Sequence, residues 1–446
     1  MKFHIFGALL LACLCAIAMA QEPVATLSTQ APEQDSGTVL RLDDVLRLAM
    51  ERSPERKSSQ DAIRAMKHRV TQAKALPDPT LAVGWAGKPA PFVTMSGDQS
   101  SYRGITLAEQ FPYPGKLKLQ GQIAARDVET AQAECNAVER RIALEVKLAF
   151  AEYAYAGQAL GVAEQNKALL EKMAAIAEAQ YRVSRALQQD VLRAQVEVSR
   201  QMERIEQLAL QREMARAELN AALQQPPDTE LPPAEESKVT PLRFTLDELY
   251  ALAEANDTGL AKNKITIERG KQSVALAERQ YRPDIGVGYM YQQRTDQPDM
   301  HGVTVTVSLP VFWKTKQREA VAEAVATEHG AESMQANQRN AVRTEVRKQW
   351  LAISSADRLL TLYNKAITPQ SELALESAFS AYQANKLDFQ SLLSNVSTQL
   401  EYKTNVAREL ADRQSAIARI ESLTGQEIAA ANVSSDGDAG KGAQQK

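Results

Sequence analysis

The chain has 446 residues, of which 44% are hydrophobic but only 5% are aromatic, and its formal net charge is −3. This length is enough for two or three globular domains, but few aromatic side chains and abundant alanine favour long helices that pack through small residues. The nearly balanced charge provides no basic patch of the kind that nucleic acid binding requires, so no nucleic-acid partner is expected.

The first 20 residues have the features of an export signal peptide. Lys2 is followed by a run of apolar residues, and Ala18-Met19-Ala20 fits a cleavage site of the small-x-small type. Cleavage after Ala20 is one interpretation; lipidation at Cys13 is the other, because residues 10–13 loosely resemble a lipobox. No later run approaches the ~18 apolar residues of a membrane helix, so any crossing of a membrane is assigned to strands.

Several segments recur about 200 residues further along the chain, which indicates an internal repeat. The sequence "LRLDDVLRLAMERSPE" from Leu40 is echoed by "FTLDELYALAEANDTG" from Phe244, and "GITLAEQFPYPGKLK" from Gly104 by "GVTVTVSLPVFWKTK" from Gly302. The predicted organisation is a signal peptide, two repeats, a Pro-rich and acidic linker between them, and a disordered tail. The signal peptide covers residues 1–20, and the two repeats cover residues 21–224 and 242–425. The linker covers residues 225–241, and the tail covers residues 426–446.

Each repeat contains two short stretches in which apolar and polar residues alternate, as in strands with one apolar face. The four predicted strands lie near residues 80–89, 102–111, 284–293 and 302–310. In the fourth, Val305 and Val307 face one way and Thr304 and Thr306 the other. Each stretch is close to the ~10 residues that a tilted membrane strand needs, although two solvent-facing hairpins on a helical bundle are the alternative.

Proline and glycine residues mark the points where predicted strands meet predicted helices. Proline lacks the N–H that a central strand donates, but it is tolerated at the start of a helix. The junction residues are Pro112, Pro114, Gly115, Pro283 and Pro310.

Helix lengths predict how the elements are arranged. A helix over 116–183 would be about 100 Å long, whereas helices over 43–75 and 188–224 would be about 50 and 55 Å long. Two shorter helices stacked end to end therefore match one long helix, and Pro369 is expected to kink the long helix of the second repeat. The predicted fold class is mainly α with a small β part.

Four strands cannot close a membrane barrel, because the smallest such barrels have about eight and an open edge is not tolerated in lipid. Chains must therefore pool their strands, and a homotrimer with twelve strands and a ring of helices is the expected assembly.

The chain resembles the TolC-type outer-membrane factor family of Gram-negative bacteria, and among its members those that serve heavy-metal RND efflux systems. The resemblance rests on the duplicated layout, on the Phe111–Lys116 junction "FPYPGK", and on "QYRVSRALQQDVLRAQ" and "AYQANKLDFQSLL" near the predicted helix turns. It implies an outer-membrane barrel continuous with a periplasmic helical barrel. It also implies a periplasmic adaptor (membrane fusion protein), an inner-membrane RND-type pump and outer-membrane lipid as partners.

In that family the turn between the long and returning helices is a Val-Gly-Leu-like tip that contacts the adaptor. The glycine is replaced at both tips here and the leucine is basic at both, which suggests charge pairing with the adaptor. The matching adaptor-contact residues are Val183, Ser184 and Arg185 at the first tip and Ala384, Asn385 and Lys386 at the second.

Acidic rings often narrow the tunnel near these tips in the family, and Asp190 and Asp388 are the corresponding candidates for a periplasmic gate. Both follow a predicted break in the helices, where aspartate is also a favourable helix cap. For Asp388 both interpretations stay open, whereas capping is favoured for Asp190.

No motif predicts catalysis, a cofactor or a metal site. His68, His301 and His329 are isolated, and "PGKLKLQG" lacks the Ser or Thr that a phosphate loop requires. The function expected from the resemblance is the export of small solutes, either heavy-metal cations or drugs, by the channel of a tripartite efflux system. The alternatives are the channel of a type I protein secretion system and a periplasmic coiled-coil adaptor.

Overall fold

The computed structural model describes residues 39–87, 93–96, 98, 100–236, 238–384 and 386–429. The predicted signal peptide with Cys13, tip residue Asn385 and tail residues 430–446 lie outside the described residues. The elements of the first half are α1 (Leu42–Arg52), α2 (Pro54–Lys74), β1 (Thr80–Ala86), β2 (Tyr102–Phe111), α3 (Lys116–Arg182) and α4 (Gln188–Ala222).

The same order of elements follows in the second half, with one interruption in its long helix. The elements are α5 (Leu246–Asn256), α6 (Thr258–Arg279), β3 (Asp284–Gln293), β4 (Met300–Ser308), α7 (Gln317–Leu362), a π-helical segment (Tyr363–Ile367), α8 (Thr368–Gln383) and α9 (Phe389–Thr424). No helix in the described part of the chain combines the length and apolarity that crossing a bilayer requires.

The helix expected over residues 43–75 is divided into α1 and α2 at Ser53. Pro54 disfavours a helical conformation at the residue before it, and the Ser53 hydroxyl accepts a hydrogen bond from the Arg56 N–H at 3.2 Å to cap α2. The second half is divided at Asp257, whose Oδ1 accepts from the Leu260 N–H at 2.8 Å. Hydrophobic periodicity runs through both breaks, which is why it does not reveal them.

The hydrogen bonding of the second long helix changes beside Pro369, the residue at which a kink is predicted. The five residues of the π-helical segment end just before it, and Pro369 lies in the first turn of α8. Proline has no N–H to donate and its ring crowds the preceding turn, so the helix widens locally rather than ending. The three segments have 46, 5 and 16 residues, together the same as the 67 residues of α3.

The four strands form one antiparallel sheet in the order β1-β2-β3-β4, so β1 and β4 are its outer strands. Val83 lies opposite Ile105, Leu107 opposite Tyr289, and Val287 opposite Val305. These residues share one mainly apolar face of the sheet, on which Glu109 also lies, opposite Val287. The other face has small or polar residues, among them Ala82, Thr106, Ala108, Gly286, Gly288, Thr304 and Thr306.

The long helix α3 is the centre of helix packing and contacts α2, α4, α6 and α9. Its close contacts use small residues, since Ala156, Ala159 and Ala163 are almost fully buried. Alanine lets neighbouring helix backbones approach closely, so this abundant residue accounts for packing with few aromatic side chains.

The segments that link and follow the two halves are held against the helices. The Tyr153 hydroxyl donates to the Leu231 carbonyl at 3.1 Å, which fixes the linker. The tail predicted from residue 426 onwards is ordered in its described part: Ile428 is fully buried, and its N–H donates to a Glu421 carboxylate oxygen at 3.0 Å. Burial of this large apolar side chain holds the first described residues of the predicted tail against the helices.

Candidate functional site

The first helix tip closes α3 with a residue in the left-handed conformation. Ser184 has φ 59°, and the Arg185 N–H donates to the Gln180 carbonyl at 2.8 Å, as in the motif that commonly ends helices. Glycine adopts this conformation without strain, whereas serine does so at a cost of about 1 kcal/mol. Val183 and Leu187 are more than 60% exposed beside this turn.

The second tip closes α8 with the same long backbone hydrogen bond. The Lys386 N–H donates to the Ala381 carbonyl at 2.9 Å, and the Ala384 N–H to the Ser380 carbonyl at 3.1 Å. Arg185 and Lys386 are exposed and form no ion pair with any described residue, so both basic side chains are available to a partner.

Both candidate gate residues act as helix caps. Asp388 is the N-cap of α9; its carboxylate accepts hydrogen bonds from the Ser391 hydroxyl at 2.6 Å and the Ser391 N–H at 3.0 Å. These bonds favour the charged form and lower the pKa of Asp388 below its usual value. Asp190 lies in the first turn of α4 and accepts from the Leu187 N–H at 3.4 Å, a weaker contact. From the sequence, capping is favoured for Asp190, and both interpretations stay open for Asp388. In the structure both carboxylates make capping hydrogen bonds, and those of Asp388 are the shorter.

The two carboxylates also line one groove between the tips, together with Arg185. Two further polar residues, Gln180 and Tyr382, line this groove and were not predicted from the sequence. Gln180 bridges the tips by donating from Nε2 to the Tyr382 carbonyl at 3.4 Å. Tyr382 is only 3% exposed, and its hydroxyl has no hydrogen-bond partner in the described chain. Burial, with Asp190 nearby, raises the pKa of Tyr382.

The junction after β2 contains a buried lysine, the last residue of "FPYPGK", whose contacts the sequence does not predict. Lys116, the first residue of α3, donates to the Asp284 Oδ1 at 2.8 Å and to the Arg282 carbonyl at 3.0 Å. The Tyr113 N–H donates to the same Oδ1 at 2.7 Å. One carboxylate thus joins the end of β2 to the start of β3.

The predicted junction residues lie where strands and helices meet. Pro112, Pro114 and Gly115 fill the turn between β2 and α3, Pro283 precedes β3, and Pro310 follows β4. Gly115 has φ 96°, and a Cβ there would lie 3.0 Å from a guanidinium nitrogen of Arg279, so the turn favours glycine.

No group of three or more His, Cys, Asp or Glu side chains that could hold a metal ion occurs among the described residues. His301 lies between two tyrosines. Its Nδ1 is 2.6 Å from the Tyr289 hydroxyl, and the centre of its ring is 5.3 Å from that of the Tyr291 ring.

A scan against protein-family models and a search of curated proteins gave no match. Solved structures do match. The outer-membrane channel OprN has a TM-score of 0.73 at 16% identity over 86% of this chain and 89% of its own. VceC of Vibrio cholerae, an outer membrane protein, scores 0.71 at 16% identity over 87% and 96%. CusC, described for its transmembrane channel formation, scores 0.70 at 12% identity over 91% and 98%.

The chain therefore has the fold of outer-membrane channel proteins of the TolC type, as its sequence suggested. In each match the likeness extends over more than four fifths of both chains. At these sequence identities the likeness concerns the backbone fold. It does not extend to the side chains at the tips and junctions.

Proposed function

We propose that the protein is the outer-membrane channel of a tripartite efflux system in a Gram-negative bacterium. Three duplicated chains pool their strands into a twelve-stranded barrel in the outer membrane, and their helices form a periplasmic tunnel. The tips dock on a periplasmic adaptor, an inner-membrane RND-type pump supplies the solute, and the protein catalyses no reaction.

The observation that carries this proposal is the fold likeness to outer-membrane channels over at least 86% of the chain. Two features of the sheet support it. Each outer strand, β1 and β4, has one edge that pairs with no described strand, and lipid does not tolerate such an open edge. One face is apolar and the other small or polar, as expected for strands between lipid and a water-filled lumen.

The tips support docking on an adaptor by charge. Arg185 and Lys386 are exposed and form no ion pair among the described residues, and they lie beside the exposed apolar side chains of Val183 and Leu187. Asp190 and Asp388 line the groove next to them, and threefold symmetry would place several carboxylates around one axis. Such a ring attracts cations, which suits a gate for heavy-metal cations or cationic drugs.

The proposal is tested by locating the protein and measuring its mass. Protein extracted in detergent from outer-membrane fractions should have the mass of three chains and should conduct ions in a planar bilayer. A soluble monomer would contradict the proposal and favour a periplasmic adaptor.

Deletion of the gene shows which class of cargo the channel exports. Sensitivity to heavy-metal ions or to drugs supports efflux of that class, whereas loss of one secreted protein with unchanged sensitivities favours a type I secretion channel.

A further inference from the structure

The contact between β2 and β3 joins the two halves within one chain. The strands pair with Leu107 opposite Tyr289 and Phe111 opposite Ile285. Below their ends, the ion pair between Lys116 and Asp284 closes the joint, with the lysine side chain 10% and the aspartate side chain 25% exposed. This joint is a template for any other place where a second strand of one half meets the first strand of the other.

The outer strands β4 and β1 carry counterparts of that joint without a partner. Lys314 follows Pro310 as Lys116 follows Pro112, and Asp78 follows Pro77 as Asp284 follows Pro283. Lys314 lies near the ring of Trp313 but forms no ion pair in the described chain, and neither does Asp78. Both side chains are exposed.

A third observation shows that the second junction lacks a hydrogen-bond donor. Gln317 begins α7 as Lys116 begins α3, and its side chain is 8% exposed with Oε1 unpaired in the described chain. Leaving a buried acceptor unpaired is costly. The adjoining loop is also open, because Val311 and Phe312 are more than 70% exposed.

We propose that Lys314 of one copy forms an ion pair with Asp78 of the next copy, reproducing the joint between Lys116 and Asp284. This inference rests on the proposed trimer and specifies the contact between β4 of one copy and β1 of the next. Aligning the two Pro-Asp pairs sets the register: Val305 of β4 lies opposite Val83 of the next copy, and Val307 opposite Leu81. All four side chains then share the apolar face, and every residue of β1 has a partner on β4.

Charge complementarity favours a second copy over lipid as the occupant. Lipid headgroups could attract Lys314, but they would repel the Asp78 carboxylate at the same level of the sheet. A second copy satisfies both charges and both strand edges at once.

The experiment crosslinks cysteine pairs in the assembled protein, in a Cys135→Ala background. The test pair is Lys314→Cys with Asp78→Cys, and the matched control is Lys116→Cys with Asp284→Cys. A short bifunctional thiol reagent should move most test chains to dimer and trimer bands on a denaturing gel. The control should react within one chain and stay at the monomer position.

Charge exchange provides a second measurement. Lys314→Asp alone should lower the temperature at which the trimer dissociates in detergent, and adding Asp78→Lys should restore most of that loss.

The outcomes separate this inference from the proposed function. A detergent-stable trimer in which the control pair reacts but the test pair stays monomeric would overturn the ion pair and leave the channel proposal standing. Test crosslinks confined to single chains would overturn it equally. A soluble monomer would overturn the proposed function itself.

Discussion

Asp388 contributes to stability through the charged form of its carboxyl group. Because its pKa is lowered in the folded state, the contribution is present above the ordinary pKa of aspartate and is lost as pH falls through the folded value. We expect Asp388→Asn to melt at a lower temperature than the unaltered protein at neutral pH, and this difference to begin to shrink only as pH falls below about 4, the ordinary pKa of aspartate. Melting curves at several pH values measure it. A difference independent of pH would contradict a role for the charge.

A gate at the tips predicts a further effect of the same substitution. In single-channel recordings, Asp388→Asn should weaken cation preference or block by divalent ions, because one carboxylate per chain is removed from the mouth. Asp190→Asn should have a smaller effect. Unchanged conductance and selectivity with a lowered melting temperature would leave Asp388 as a helix cap only.

Lys116 should matter more for stability than the neighbouring exposed lysine of α3, Lys118. Lys116→Met leaves the Asp284 carboxylate, three-quarters buried, without its cation, at a cost of about 1–3 kcal/mol. Lys118→Met is the matched control, since Lys118 is exposed and should change stability little. Equal melting temperatures for the two variants would show that the junction does not depend on this ion pair.

At the level of elements, the two faces of the sheet predict opposite responses to the same charge. Val305→Arg places arginine on the apolar face and should impair assembly by roughly 2–4 kcal/mol near the middle of a membrane. Thr304→Arg should be tolerated, because Thr304 lies on the other face opposite Gly288. The yield of folded trimer in outer membranes measures both, and equal yields would contradict the assignment of the faces.

The sequence predicted the elements whose signals are local. Alternation located all four strands to within a few residues, proline placed the junctions, and the long uninterrupted pattern predicted α3 almost to its last residue. The breaks at Ser53 and Asp257 were missed, because capping replaces a few hydrogen bonds without disturbing the apolar stripe.

At the candidate site, the sequence predicted the tips but missed Tyr382 and the partner of Lys116. Tyr382 and Asp190 line the same groove only because helices far apart in sequence pack together. Asp284 accepts a hydrogen bond from Lys116, which lies 168 residues earlier in the chain. Contacts between residues so far apart in sequence have no local periodicity. The Pro-Asp pair before β3 was the one available signal, and its meaning became clear only from the strand register.

At the scale of the whole molecule, helix α4 shows a surface that one chain leaves open. Leu192, Val196, Leu210 and Met214 lie on one side of this helix, each at least half exposed. The equivalent helix α9 is packed instead: Leu393, at the position of Leu192, is 6% exposed among residues of α3 and α8. This stripe of open apolar side chains on α4, whose counterparts on α9 include the buried Leu393 and Ala411, indicates a contact with another copy.

We therefore expect this stripe to be buried on assembly. In a Cys135→Ala background, Leu210→Cys and Met214→Cys should react slowly with a maleimide in the assembled protein and rapidly after dissociation. Asp228→Cys, in the exposed linker, should react rapidly in both states and serves as the control. If the cysteines on α4 react as fast as the control in the intact trimer, the stripe faces solvent and the copies associate through other surfaces. Slow labelling that accelerates on dissociation would place α4 between neighbouring copies, where the tunnel proposed above needs a closed wall.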